Sequence, residues 1–529
     1  MRKKAWDIAG RVHYPYTACI IDNQLVGFHT DFPESSNVRL LTVSEGEGRR
    51  TYERTLAFLS DYLLSTAGYR NSLKMEHSLG EALYGEAEGV SPDIAVEIIG
   101  RGLHELSRSE TRIDTVDLTK QEAIRYLKEQ KRYDQLRLIE YMAKNIFTFY
   151  RIGDHMAYMA GPLVPDAGFI KVFDVKRYNI GFLIFLPDHE DPYKLSKPVK
   201  RDKLFETFQE SKTWAEILEI EDVGHLNEAI ESGRISDLIK IQEGLHEKKI
   251  AHIADIITRR SQEIRLVLIA GPSSSGKTTF SKRLKIQLII NGLNPKTISL
   301  DDYFLDRELT PLDSEGQPDY ENFYSIDFKL FRDHIRKLIC GEKVGIPKFN
   351  FLKGKRDGIR EEMELTGKDI IIVEGIHGLN PELTEGIKEE NKFKIYVSSL
   401  TQLNIDRLNR IPTRDTRIIR RMVRDYRYRG HSASETISMW PKVAKGEEVF
   451  IFPYQEEADV MFNSALTYEL AVLKNYTEPL LRSVKCDDEN YSEALRLLNF
   501  LFHFMGIMPF EIPPTSILRE FIGGSSFEY

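Results

Sequence analysis

One segment of the sequence has the residue types and spacing that bind phosphate groups. Residues 271–278 read GPSSSGKT and match the pattern GxxxxGK[ST], in which glycines let backbone N–H groups curl round phosphate oxygens. In this pattern the lysine, here Lys277, reaches the β- and γ-phosphates, and the hydroxyl of Thr278 binds Mg²⁺. The segment therefore predicts a site for ATP and Mg²⁺. The residues expected to contact the nucleotide are Gly271, Pro272, Ser273, Ser274, Ser275, Gly276, Lys277, Thr278 and Thr279.

Acidic residues follow two later apolar runs. Asp301 and Asp302 come after the run 297–300, and Glu374 ends the run 370–373. Ligands bind at the carboxyl ends of parallel strands, so an acid there can take a proton from a hydroxyl or hold Mg²⁺. We expect Asp301 to act on an acceptor hydroxyl and Glu374 to join Thr278 as a metal ligand. A turn or capping aspartate and an ordinary strand-ending glutamate are the alternative interpretations.

Arginines are concentrated in one stretch near the end of the apolar runs. They are Arg407, Arg410, Arg414, Arg417, Arg420, Arg421, Arg424, Arg427 and Arg429. Helical spacing places four of them, from Arg417 to Arg424, on one face or its margins. Guanidinium groups suit the dispersed charge of phosphoryl transfer. A surface helix and an RNA-binding patch are alternatives, but the nearby phosphate loop favours a lid that closes over the phosphates.

The segments around these residues have the pattern of βαβ units. The run 264–270 is almost entirely apolar, which is typical of a strand buried on both faces of a parallel sheet, and 279–290 has helical spacing. Similar short runs occur at 297–300, 370–373, 393–397 and 459–462, and helical segments separate most of them. We expect a doubly wound parallel sheet with the phosphate loop after its first strand.

Composition and length limit the classes of protein to which this chain can belong. The chain has 529 residues, with 73 Lys+Arg against 81 Asp+Glu and a net charge of −8, which argues against a basic nucleic-acid coat. Its length corresponds to about three to four domains. The three cysteines are too widely separated for a disulfide framework or a CxxC metal site, and this predicts a cytoplasmic location. No apolar run reaches the ~18 residues that a membrane span needs, and the start lacks the apolar part of a secretory signal.

Residues 262–470 resemble the uridine kinase/phosphoribulokinase family of P-loop kinases. Family-like motifs occur in order at 271–280 (GPSSSGKTTF), 300–304 (LDDYF), 319–322 (DYEN), 346–351 (IPKFNF), 373–376 (VEGI), 416–425 (TRIIRRMVRD) and 457–460 (EADV). The resemblance implies a catalytic set of Lys277, Asp301, Arg420, Arg424 and Arg429, with Asp301 as the base. It implies substrate contacts from Asp301, Tyr303, Tyr320, Glu321, Phe349, Phe351 and Arg417. It implies Thr278 and Glu374 as metal ligands.

The departures from this family fall in the substrate pocket. Phe349 stands where the family has a tyrosine, and Asn350 where it has an aspartate. Gly354 stands at the position of a histidine that contacts the pyrimidine, while Glu321 replaces an aspartate that grips the ribose hydroxyls. A polar pocket discriminates by leaving groups unpaired when the wrong substrate binds, so the loss of these groups leaves the base preference open.

The N-terminal part resembles the accessory region of threonyl-tRNA synthetases. Residues 10–50 resemble its TGS module, and His77 together with residues 158–165 (YMAGPLVP) resembles motifs of its second domain. The histidine and cysteine groups of that domain are replaced here. Glu81 lies at the position of the second histidine, Met159 at that of the cysteine and Leu163 at that of the final histidine. A metal or editing site needs those groups together, so we predict a degenerate module for binding or assembly. We expect a helix around His77, and structural roles for His77 and His155.

These observations predict a multidomain α/β protein. Its parts are a TGS-like β-rich module (1–60), an α+β synthetase-like domain (61–200), a helical connector (201–255), a P-loop kinase domain with a doubly wound parallel sheet (256–480), and a helical tail with a loose end (481–529). We predict ATP-dependent phosphorylation of a nucleoside 5′-hydroxyl, with uridine or cytidine as the acceptor. Two alternatives are kinase action on another sugar or small alcohol, and an RNA-binding regulatory protein with a nucleotide switch. The acidic charge argues against nucleic acid as the main partner, and a homo-oligomer is left open.

Overall fold

The computed structural model describes residues 2–4, 13–197, 201–313, 315–351, 353–401 and 403–529. Residues 1 and 5–12 of the predicted first module therefore lie outside the described residues. Among the described ranges, no helix combines the length and apolar character needed to cross a bilayer.

The N-terminal module is a small antiparallel sheet followed by a long helix. Its strands are β1 (Arg2–Lys4), β2 (Tyr16–Ile21), β3 (Gln24–Val26), β4 (Asp31–Pro33) and β5 (Val38–Thr42). Strand β2 pairs with both β3 and β5. Helix α1 (Gly46–Thr66) runs through the predicted boundary at residue 60. Gly48 lets its first turn lie close to β5, because a side chain there would overlap the Thr42 carbonyl group.

The next region is an α+β unit with two antiparallel sheets. Its strands are β6 (Leu73–Leu79), β7 (Ala82–Ala87), β8 (Asp114–Thr119), β9 (Ile146–Ile152), β10 (His155–Tyr158), β11 (Asp174–Tyr178) and β12 (Gly181–Phe185). Its helices are α2 (Pro92–Ser109), α3 (Lys120–Glu129) and α4 (Tyr133–Tyr141). The strand orders are β11-β12-β7-β6 and β10-β9-β8.

The helix expected around His77 is wrong, because His77 lies in β6 and Gly80 turns the chain into the β6–β7 hairpin with φ +61°. The His77 ring stacks on Phe208 with centroids 3.7 Å apart, and burial lowers its pKa well below the ordinary value. The His155 Nε2 atom lies 3.1 Å from a carboxylate oxygen of Asp61. In the part of the chain that the structure describes, no group of three or more His, Cys, Asp or Glu side chains could hold a metal ion.

The predicted connector is helical, and it forms part of the large hydrophobic core. Its helices are α5 (Asp202–Ile217), α6 (Val223–Glu231) and α7 (Ile235–Arg259). Buried side chains from α6 and α7 pack in one cluster with one face of the following parallel sheet, so this region does more than link two domains.

The C-terminal half contains the expected doubly wound sheet. Its elements are β13 (Leu266–Ala270), α8 (Lys277–Ile290), β14 (Asn294–Ser299), α9 (Phe328–Ile339), β15 (Val344–Asn350), β16 (Lys355–Met363), β17 (Asp369–Glu374), β18 (Lys392–Ser398), α10 (Thr413–Arg429), α11 (Ala433–Phe450) and β19 (Val460–Asn463). Five parallel strands run in the order β14-β17-β13-β18-β19, while β15 and β16 form a separate antiparallel hairpin. All five residues of β13 are buried, as the apolar run predicted for a strand covered on both faces.

The last part of the chain is α12 (Glu469–Arg482), α13 (Tyr491–Leu501) and the short α14 (Arg519–Ile522). The ending GGSSFEY (523–529), which was expected to be loose, has no regular secondary structure but makes specific contacts: the Ser526 amide donates to the Pro514 carbonyl at 3.0 Å, and the Tyr529 hydroxyl lies 2.9 Å from the Thr279 hydroxyl. Before it, Ile517, Leu518 and Phe521 are buried in the core. Short 3₁₀ helices complete the structure at Ala167–Phe169, Leu300–Tyr303, Arg307–Leu309, Phe323–Ser325, Pro381–Thr384, Glu389–Asn391, Phe452–Glu457 and Pro509–Glu511.

Candidate active site

The phosphate loop joins the central strand β13 to the start of α8. Gly271 has no room for a side chain, because a Cβ atom there would overlap the Val397 carbonyl oxygen on β18. Gly276 has φ +84°, a left-handed conformation that turns the loop into the helix. The first amides of α8 consequently point at the loop, where the helix dipole favours negative charge.

A possible Mg²⁺ position is formed where β13 and β17 lie side by side. In the parallel register Ile269 pairs with Glu374, so the acid ends its strand next to the phosphate loop. The Thr278 hydroxyl donates to a Glu374 carboxylate oxygen at 3.3 Å. Burial raises the pKa of Glu374 to about 7, and the Asp301 carboxylate adds to this rise. Two hard oxygen ligands beside a phosphate site fit Mg²⁺, which takes its remaining ligands from water and phosphate.

Lys277 lies at the centre of the charges in this cleft. Its ammonium group donates to the Pro272 carbonyl at 3.1 Å, within its own loop. Burial lowers the pKa of Lys277, while the carboxylates of Glu374 and Asp301 oppose this change. Lys277 is therefore influenced both by Glu374, the acid expected to bind the metal, and by Asp301, the acid expected to act as base.

The two neighbouring aspartates after β14 have different surroundings. Asp302 is buried and accepts hydrogen bonds from the Phe349 amide at 3.2 Å and from Arg360 at 2.9 Å, so it anchors the β15–β16 hairpin. Asp301 is exposed at the surface of the cleft. The protein atoms around its carboxyl group still exclude enough water to raise its pKa. The positive charges of Lys277 and Arg429 act against that rise. Only Asp301 of the pair is available to an incoming hydroxyl.

The lid helix α10 carries two kinds of arginine. Arg417 is 1% exposed, donates to the Ser273 carbonyl at 3.0 Å and pairs with Glu447. Arg420 is fully buried, and donates to Glu469 at 3.0 Å and to the Ser274 carbonyl at 3.3 Å. The expected substrate contact of Arg417 and catalytic contact of Arg420 are therefore corrected. Both guanidinium groups support the loop from beneath, with their donors directed at protein acceptors.

Arg424 and Arg429 remain candidates for contact with the transferring phosphate. Both pair with Asp425, Arg424 at 2.8 Å and Arg429 at 3.5 Å, and the Arg429 side chain is 53% exposed. Their charges act against the rise in the pKa of Asp301 that burial causes. The predicted arginine set therefore divides into Arg417 and Arg420, which are at most 1% exposed, and Arg424 and Arg429, whose side chains are 16% and 53% exposed.

Aromatic rings form the acceptor side of the cleft. Phe304 is the central ring, with centroids 5.8 Å from Tyr320, 5.7 Å from Phe349 and 6.1 Å from Phe351. Phe351 is 58% exposed, so its ring is available to a ligand. The predicted substrate contact of Tyr303 is corrected, because its ring is fully buried and its hydroxyl lies 3.1 Å from His334.

Glu321 packs against α11, because a Cβ atom on Gly446 would overlap the Glu321 Cβ atom. Burial raises its pKa to about 7, with a further rise from Glu447 that Arg421 opposes. Its Oε2 atom is buried without a hydrogen-bond partner among the described residues. A half-buried carboxyl group with a free oxygen can receive a hydroxyl donor from a ligand.

Several residues at the cleft were not among the sequence predictions. Glu447 accepts from the Ser273 amide at 3.1 Å, and Arg421 donates to the Ser273 hydroxyl at 2.9 Å. Arg421 and Phe304 were visible in the TRIIRRMVRD and LDDYF motifs, whereas Glu447 carried no signal of its own. Glu520, which contacts Thr279, comes from the distant C-terminal part and could not be found from local spacing.

Comparison with known proteins finds similarity to one family of kinases. Residues 266–471 match the family described as "Phosphoribulokinase / Uridine kinase family". A uridine kinase of Halalkalibacterium halodurans is 30% identical over 200 residues, which cover 37% of this chain and 84% of that protein. A uridine kinase of Staphylococcus aureus (strain JH9) is 26% identical over 208 residues, which cover 39% and 91%.

A solved structure described as "a Possible Uridine Kinase from Bacillus stearothermophilus" is 16% identical, with a TM-score of 0.27, and the match covers 40% of this chain and 96% of that one. The family match at residues 266–471 lies in the C-terminal half, and the resemblance of the N-terminal region to synthetase domains stays a prediction.

Proposed function

Because this chain belongs to the phosphoribulokinase/uridine kinase family through residues 266–471, we propose that it phosphorylates the 5′-hydroxyl of a nucleoside. The chain is an ATP-dependent kinase. Uridine and cytidine are the proposed acceptors, in keeping with relatives that are named uridine kinase.

The observation that carries the proposal is the position of Asp301. It is the exposed member of the aspartate pair, and the positive charges of Lys277, Arg429 and Arg424 all act against the rise in its pKa that burial causes. An acceptor hydroxyl at Asp301 would thus face the end of a triphosphate whose other phosphates lie along the loop. Positioning and charge stabilisation supply most of the acceleration in phosphoryl transfer.

In the proposed reaction Asp301 orients the acceptor hydroxyl and accepts its proton. The hydroxyl oxygen forms a bond to the γ-phosphorus, the bond from that phosphorus to the bridging β–γ oxygen breaks, and ADP leaves. Lys277, Arg424 and Arg429 offset the negative charge that spreads over the transferring group. Mg²⁺, which Thr278 and Glu374 would hold, supplies further positive charge to the β- and γ-phosphates when it is bound.

The acceptor would lie against the aromatic rings. Phe351, which is exposed, and Tyr320, which is half-buried, offer rings to a planar base. The predicted contact of Phe349 is corrected, because its ring is buried and packs against Phe304. Glu321 offers its unpartnered oxygen to the ribose hydroxyls. Stacking on an aromatic ring accepts any base, so this arrangement favours a nucleoside without choosing among bases.

A second acceptor class, a sugar or another small alcohol, is favoured by one observation. The Arg307 guanidinium lies over Gly354, so that a Cβ atom there would be 2.7 Å from Arg307 Nε. Arg307 also donates to the Tyr320 hydroxyl at 3.2 Å. A guanidinium next to the acceptor rings suits carboxylate or phosphate groups, which uridine and cytidine lack.

A substrate panel tests the proposal. We would measure ADP release by the full chain with uridine, cytidine, purine nucleosides, neutral sugars and sugar phosphates. The proposal predicts that a pyrimidine nucleoside stimulates ADP release with saturation at the lowest concentration. Saturable stimulation by a sugar or sugar phosphate, with none by any nucleoside, would contradict it and support the second acceptor class.

A further inference from the structure

The C-terminal segment, defined here as residues 513–529, lies directly against the phosphate loop. A Cβ atom on Gly276 would lie 2.5 Å from Ile517, so the last glycine of the loop is covered by this segment. The guanidinium of Arg420, which also contacts the loop, lies 5.1 Å from the Phe521 ring centroid. The loop is therefore enclosed by α10 together with a part of the chain that is some 240 residues away in sequence.

The carboxylate of Glu520, which belongs to this segment, accepts hydrogen bonds from both the amide and the hydroxyl of Thr279. The Glu520 Oε2 atom accepts from the Thr279 amide at 3.3 Å and from the Thr279 hydroxyl at 2.7 Å. The Tyr529 hydroxyl lies 2.9 Å from the same Thr279 oxygen. Thr279 is fully buried and Glu520 is 8% exposed. A ligand can reach these two groups only if Glu520 moves.

These same groups belong to the cradle that binds phosphate. The amides of the first turn of α8 and the hydroxyls beside them are where the phosphates of a bound nucleotide accept hydrogen bonds. The Glu520 charge also acts on Lys277 and on Glu374, so it lies within the electrostatic field of the site. A carboxylate and a phosphate are both anions, so they cannot share the donors of Thr279 without repulsion.

We propose that Glu520 is an internal competitor of the nucleotide and determines its affinity. In the free protein its carboxylate occupies the anion position at Thr279, and a nucleotide binds there as Glu520 withdraws with the C-terminal segment. Lys277 and Thr278 stay available to the other phosphates, so binding starts without this displacement. The inference rests on the proposed use of the loop for ATP.

The direct test is the affinity for a non-hydrolysable ATP analogue, measured by calorimetry on the full chain with Mg²⁺. Glu520→Gln removes the charge at nearly constant size, and we expect binding to tighten by at least about fivefold, since hydrogen bonds to a charged group are among the stronger ones. Glu528→Gln is the matched control, because it removes the same charge from an exposed position of the same segment. We expect the control to bind like the wild type.

Glu520→Asp is the second variant, in case Glu520→Gln does not fold. Its shorter side chain withdraws the carboxylate from Thr279 while it keeps the charge, and we expect tighter binding here as well. Hydrogen exchange provides an independent measurement. The amides of residues 517–529 should exchange faster when the analogue binds to the wild type, and they should not respond in Lys277→Ala, in which nucleotide binding is lost.

Weaker or unchanged binding in the folded Glu520 variants, or an unchanged exchange rate in the wild type, would overturn the inference. If the wild type still binds the analogue and turns over substrate, the proposed function stands without it. If neither the wild type nor any Glu520 variant binds the analogue, the proposed function and this inference fail together.

Discussion

The half of the cleft that contains the phosphate loop (the donor half) and the half that contains the aromatic rings (the acceptor half) are built from different structural elements. In the donor half the backbone of residues 271–276 forms the cradle, and buried side chains such as Arg417 and Glu447 support it from beneath. In the acceptor half, side chains from the loops next to the short 3₁₀ helices and from the β15–β16 hairpin form a wall with the exposed Phe351 at its edge. The acceptor half can therefore change its ligand by single substitutions that leave the donor half intact.

Among the variants that test this comparison, the largest effects are expected from the two kinds of arginine on α10. Arg420→Met leaves Glu469 buried without its partner, so we expect about 3–5 kcal/mol of lost stability in denaturant unfolding. Arg424→Met removes a half-buried charge that acts on Asp301, and we expect turnover to fall about 10²-fold. The loss of stability should be smaller than in Arg420→Met, because Arg421 and Arg429 also pair with Asp425. A stable Arg420→Met protein with low turnover would return Arg420 to the catalytic set and weaken the comparison.

The next effect concerns the pH dependence of stability. Burial raises the pKa of Glu374 from 4.5 in its ordinary state to about 7, so the folded protein holds a proton that the unfolded chain has released. This stabilising contribution is complete below pH 4.5 and is lost as the pH rises through 7. We expect the Tm of the metal-free protein to fall between about pH 5 and 8, and to fall less in Glu374→Gln.

Glu489→Gln serves as the control for this experiment, because it removes an exposed carboxylate elsewhere. It should keep the wild-type dependence of Tm on pH. Equal slopes for the wild type and Glu374→Gln would show that the Glu374 carboxyl is already ionised over this pH range in the free protein, and would contradict its raised pKa.

The smallest expected effect is at the edge of the acceptor wall. Phe351→Ala removes an exposed ring, so stability should change by less than about 0.5 kcal/mol. We expect the KM for the acceptor to rise about tenfold with little change in kcat, since stacking contributes to binding of the ground state and the transition state alike. Phe510→Ala, at an 84% exposed ring outside the cleft, is the control. An unchanged KM would exclude Phe351 from the acceptor site.

The two halves also differ in how far the sequence predicted them. The phosphate loop, the five parallel strands and the position of Glu374 followed from a local motif and from short apolar runs. Such features depend on residues adjacent in sequence. The order of the family-like motifs also indicated the kinase family, which the comparisons confirmed.

Other features depend on contacts between residues far apart in the chain, which the spacing of residues along the sequence does not reveal. Helical periodicity placed Arg417 and Arg420 on one face, but it did not say that this face meets Glu447 and Glu469. The segment around His77 gave a helical expectation, whereas pairing with β7 makes it a strand. The apparently loose C-terminal end is held by Glu520, whose partner Thr279 lies far away in the chain.

The central claim is that Asp301 takes the proton of an acceptor hydroxyl while the nucleotide lies along the loop. Asp301→Asn keeps the size of the side chain and removes its basicity. With the acceptor that the panel identifies, we expect turnover to fall by about 10²–10⁴-fold, while binding of the non-hydrolysable ATP analogue stays within about twofold of the wild type. Near-normal turnover in this variant, measured together with normal nucleotide binding, would contradict the account.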